Sequence, residues 1–155
     1  MKTIILYATK HGAAAEIAQR IAGKIEGAVI HDLKQDVPSL ADFDCVIFGS
    51  PVYAGNIRRE AKKFLSQNAS TLHEKKLGLF LCGIGAEGAK KFFDNNFSNE
   101  ILQKAKATCF SGGIFDPQKA NGFERFIIKL VTKKSAYINT INDRKIENFA
   151  QEMKS

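Results

Sequence analysis

The sequence predicts an α/β domain: a doubly wound, five-stranded parallel sheet with helices on both faces. Three observations predict it. Five strand-like segments are continuous apolar runs, as strands buried on both faces are. Segments with apolar residues at helical spacing separate them. The 155 residues suit one domain, spanning 1–155, and no linker or internal repeat divides them.

The elements follow in order. "KTIILY" (2–7) reads as the first strand, and Ile17, Ile21 and Ile25, with Ala18 and Ala22 beside them, mark a helix. Residues 28–33 form a second strand and 44–50 a third, ending at Gly49-Ser50-Pro51. An amphipathic stretch at 57–69 places Ile57, Ala61, Phe64 and Leu65 on one face. The fourth strand is 77–83, followed by helical stretches at 88–94 and 99–106. The fifth strand is 107–115, and helices at 122–134 and 144–154 complete the chain.

Composition narrows the class. Hydrophobic residues make 45% of the chain and charged residues 25%, as in ordinary globular proteins. Only Lys2 precedes the first strand, and no apolar run approaches the ~20 residues of a membrane span. Cys45, Cys82 and Cys109 each sit in an apolar run, and an odd number suits no disulfide framework. They read as core residues in a reducing cytoplasm. The net charge of +7 suits nucleic acid, an anionic membrane surface or an acidic partner, and equally a merely soluble protein, so charge alone does not decide. No nucleic-acid motif or aromatic stacking platform is present, so nucleic acid ranks last.

On doubly wound sheets, ligands bind beyond the carboxyl ends of the strands, at the switch point. Three loops belong there. Thr9-Lys10-His11-Gly12-Ala13-Ala14 joins a strand to a helix N-terminus, whose free N–H groups and dipole suit an anion, phosphate above all. Gly12 permits a positive φ. The same stretch also reads as an ordinary connecting turn, and it lacks the Gly-Lys-Ser/Thr ending of a Walker loop. Ser50-Pro51-Val52-Tyr53-Ala54-Gly55-Asn56 presents an aromatic that either stacks on a planar ring or packs on the sheet edge. Gly83-Ile84-Gly85-Ala86-Glu87-Gly88 spells G-x-G-x-x-G, but it follows the fourth strand, not the first. It reads better as a loop whose amides approach a flat ligand.

Together the three loops resemble those of the flavodoxin family, whose parallel sheet binds FMN. The resemblance covers nearly the whole chain. It implies that Thr9, Lys10, His11, Gly12, Ala13 and Ala14 hold the FMN phosphate. Ser50, Pro51, Val52, Tyr53 and Gly55, with Gly83, Ile84, Gly85 and Gly88, would flank the isoalloxazine. The family's hydroxyl-rich turn carries His11 and Ala14 here at two hydroxyl positions, so main-chain amides would do more of the binding. Phospho-accepting receiver domains are set aside, because the places of their acidic residues hold Gly49-Ser50 and Ala8-Thr9.

Within that group, residues 112–153 are similar to the menaquinone-dependent protoporphyrinogen oxidases. Those enzymes carry a basic amphipathic insertion before the last helix, here at about 116–140. Phe123, Phe126, Ile127, Leu130 and Val131 can share one face, with Lys119, Arg125, Lys129, Lys133 and Lys134 supplying charge. That helix either packs on the domain or meets an anionic membrane surface through 119–134. The resemblance implies a porphyrinogen donor and a quinone acceptor. A soluble electron carrier serving a redox partner is the alternative. No acid or base can be named: His11 belongs to the phosphate turn, while His31 suits a strand edge and His73 a loop. Arg58-Arg59 and Lys62-Lys63 read as a solvated face that could steer an anion.

Overall fold

The computed structural model describes residues 1–85, 87–133 and 136–155, the side chain of Val131 apart. Strands β1 (Thr3–Tyr7), β2 (Val29–Asp32), β3 (Cys45–Tyr53), β5 (Lys76–Cys82) and β6 (Ala107–Phe110) form a parallel sheet in the order β2-β1-β3-β5-β6. The two-residue strand β4 (Asn56–Ile57) folds back on β3. The order runs outward in opposite directions from β1 and β3, so the switch point lies between them.

Strand side chains alternate between two cores. Ile4, Leu6, Val46, Phe48, Leu77 and Leu79 meet α2 (Arg59–His73), α3 (Ala89–Asn96) and α4 (Asn99–Lys104) on one face. Ile5, Cys45, Ile47, Phe80 and Cys82 meet α1 (Ala13–Ala22) and α6 (Asp143–Lys154) on the other. Both faces are therefore covered, which is why the strands are apolar throughout. All three cysteines are buried and unpaired. His31 lies in the edge strand β2.

Several boundaries differ from the sequence reading. The third strand does not stop at residue 50 but continues to Tyr53, turns at Ala54-Gly55, where both φ values are positive, and returns as β4. The expected exposed loop is thus a β-hairpin, with Ser50 and Pro51 buried in it. Ile57 is accordingly a strand residue, and α2 runs from Arg59 to His73, so His73 closes a helix. The first helix ends at Ala22, capped at Gly23, although Ile25 beyond it is still buried.

The fifth strand, expected over 107–115, breaks in two. Ser111 still donates to Leu81, but Gly112 then turns with φ 79°. Ile114–Phe115 (β7) pairs antiparallel with Ile138–Asn139 (β8) instead. This ribbon frames α5 (Gly122–Thr132), the insertion helix. Lys134 and the side chain of Val131 lie outside what is described. Phe123 (67% exposed), Phe126 (57%) and Leu130 (62%) face solvent, while Ile127 is half-buried. No described side chain of α5 is fully buried.

Candidate functional site

The turn after β1 is built by its own residues. The Gly12 N–H donates to the Thr9 hydroxyl oxygen at 3.0 Å, so Thr9 shapes the turn. Gly12 is the N-cap of α1 at φ 101°, and no side chain caps the helix. The first-turn N–H groups at Ala13 and Ala14 therefore have no intrahelical acceptor. Ala14 is fully buried in the α1 face of the core, so its methyl packs where a hydroxyl could have served.

Tyr53 brings the second segment to the first. The Lys10 ammonium lies 5.2 Å from the centre of the Tyr53 ring, and the His11 ring meets it edge-on at 6.3 Å. Burial above all, with the Glu124 carboxylate nearby, pushes the Tyr53 phenol up to about 12. It therefore stays protonated at neutral pH and keeps a hydrogen to donate. Ser50 is placed differently. Its hydroxyl donates to the Pro51 carbonyl at 2.9 Å and accepts the Arg58 N–H at 3.1 Å. It braces the neck of the hairpin from inside. Val52 and Gly55 are half-buried around the turn. Among the flanking cations, Arg58 pairs with Glu60 and Lys62 donates to Asn56.

The third loop adjoins the second: a Cβ added at Gly83 would lie 3.6 Å from the Val52 carbonyl oxygen. Ile84 is half-buried, and Gly85 and Gly88 are exposed with positive φ. Gly88 caps α3, and Ala86 lies outside the described residues. The Gly83 N–H donates to the Gly112 carbonyl, and a Cβ on Gly113 would come within 2.9 Å of the Gly83 backbone. Behind this contact a cavity of about 430 Å³ separates Gly83, Ile84 and Gly85 from Ile138, Thr140 and Lys145. None of the phosphate-turn residues lines it.

The residue that sequence reasoning missed is Glu124, on α5. Its carboxylate lies 3.2 Å from Lys10 Nζ and 3.1 Å from His11 Nε2. It also accepts the Asn121 N–H, closing a capping box with Asn121. Burial alone would raise the Glu124 pKa. The Asn121 N–H, Lys10 and His11 outweigh burial and hold it below the usual glutamate value. The signal in the sequence was Asn121-x-x-Glu124, which announces a helix start but not a partner 113 residues away.

These residues fit a phosphate. An uncapped helix N-terminus stands beside two basic side chains, and an acidic side chain already satisfies them.

Sheet order and turn together define a doubly wound α/β domain with an uncapped helix N-terminus beside its switch point. A model of the flavodoxin domain matches residues 4–140, and the chain belongs to the flavodoxin family. It is 33% identical over 121 residues to a flavodoxin of Clostridium saccharobutylicum, covering 74% of this chain and 75% of that one. It is 23% identical over 149 residues to protoporphyrinogen IX dehydrogenase (quinone) of Escherichia coli K12, covering 87% of this chain and 81% of that one. The flavodoxin of Fusobacterium nucleatum, solved bound to flavin mononucleotide, superimposes with a TM-score of 0.55 at 16% identity, over 99% of this chain and 96% of that one.

Proposed function

We propose that the chain is an FMN-dependent oxidoreductase that takes reducing equivalents from a porphyrinogen-type donor and passes them to a quinone at an anionic membrane surface. The observation that carries this reading is the outward stripe of Phe123, Phe126 and Leu130 on α5, set among Lys119, Lys129 and Lys133. An apolar stripe flanked by cations is what an interfacial helix presents to lipid. Its 11 residues are far short of the ~20 that a span requires, so the helix would lie in the interface plane.

FMN bound there would supply the two-electron redox chemistry that links oxidation of the donor, with loss of two protons, to reduction of the quinone to a quinol. The chain supplies placement. Amides at Gly12, Ala13 and Ala14, with Lys10 and His11, would hold the phosphate. Tyr53 and the Gly83–Gly88 loop would flank the ring, with the phenol as donor. Ser50 and Pro51 would support the hairpin from beneath.

The likeness to the Clostridium flavodoxin favours a second reading, a soluble electron carrier for protein partners. Two measurements separate the readings. The purified protein should show a flavin spectrum and release a molecule with the mass of FMN. Anaerobic protoporphyrinogen should bleach that spectrum, and a quinone should restore it. A protein that stays oxidised with protoporphyrinogen returns the choice to the carrier. Changing Lys129 and Lys133 to Glu should cut binding to anionic vesicles at least tenfold, at about 1 kcal/mol per lysine.

A further inference from the structure

We infer that Glu124 is a tethered competitor of the cofactor's phosphoryl group: it docks α5 by lending its carboxylate to Lys10 and His11, and a phosphoryl group arriving there displaces it and loosens α5. The inference rests on the FMN reading above.

Three observations carry it. First, the carboxylate is the acceptor that the Lys10 ammonium and the His11 ring share, at 3.2 Å from Lys10 and 3.1 Å from His11. Its side chain is only 11% exposed, so the interaction is poorly screened. A phosphoryl group at the same cations would bring like charges into contact, and one anion must leave. Second, Glu124 supplies the ion pairs that α5 makes among the described residues. None of its described side chains is fully buried, and among the described residues no other ion pair reaches it. Third, the same carboxylate closes the capping box through Asn121. Losing its position at the turn therefore unsettles the first turn of α5.

Linkage makes the effect reciprocal: whatever Glu124 costs phosphoryl binding, bound phosphoryl costs α5 docking. The helix that carries the apolar stripe is then freer when the cofactor is seated. Flavin loading and surface contact become one equilibrium.

The test compares FMN with riboflavin, which lacks the phosphoryl group, by fluorescence titration of wild type and Glu124→Gln. The variant should bind FMN about fivefold more tightly and riboflavin unchanged, since a neutral amide competes less well for Lys10 and His11. Amide hydrogen exchange over 122–132 in the wild type should speed up with FMN and not with riboflavin. FMN binding that is equal or weaker in Glu124→Gln overturns the competition. An equal gain for both flavins overturns it too, because the phosphoryl group would then play no part. Failure of wild type and variant alike to bind FMN overturns the cofactor reading, and this inference falls with it.

Discussion

The parallel sheet and the insertion handle apolar residues in opposite ways. Phe48 in β3 is fully buried, stacked on Phe64 at 5.5 Å and edge-on to Phe97. Phe126 in α5 is 57% exposed, while the acidic Glu124 on the same helix turns inward to Lys10 and His11. The sheet puts apolar surface to use in holding itself together. The insertion keeps its apolar surface outside and docks through charge. Burial is therefore the measure of stability in one region, and exposure the measure of interaction in the other.

The largest expected effect breaks the comparison open directly. Phe48→Ala should cost about 3–5 kcal/mol in chemical denaturation, because it leaves a cavity between two packed rings. Phe126→Ala should change stability by less than about 0.5 kcal/mol and yet weaken vesicle binding. Equal destabilisation by both would show that α5 is packed after all.

A middle-sized effect tests where the regions touch. Gly113→Ala should destabilise by about 1–3 kcal/mol, since the new methyl would meet the Gly83 backbone at 2.9 Å. It should also shift the third loop and weaken flavin binding, read by fluorescence titration. Unchanged flavin affinity in a destabilised variant would detach that loop from the site.

The smallest effect concerns acid. The Glu124 carboxyl sits below its ordinary value, so its contribution is complete at neutral pH. It fades as pH falls through that depressed value, below the usual carboxylate range. The loss should stay under about 1 kcal/mol, and the amide resonances of α5 should move before the sheet unfolds. Sheet and helix resonances that move together would erase the difference between the regions.

Much of the sheet was readable from residue patterns, because strands buried on both faces have to be apolar whatever their neighbours. The strand-to-helix turn at 8–12 was readable because β1 runs straight into α1 through Gly12. What escaped depended on pairing partners. Tyr53 extends a strand only because Asn56 returns beside it, and Ile114 leaves the sheet because Asn139 waits across the chain. Glu124 looked like one more polar residue on an amphipathic helix. Its meaning came from Lys10 and His11, and no local pattern joins them.

The β7–β8 ribbon has an engineering consequence. It pins both ends of the excursion, Ile114 against Asn139 and Phe115 against Ile138. Its two ends thus sit side by side on the body, like the rivets of a handle on a vessel. Swapping that handle for a tight two-residue turn would leave the parallel strands their partners. Chains of this architecture can therefore gain, lose or trade such appendages without renegotiating the body that carries them.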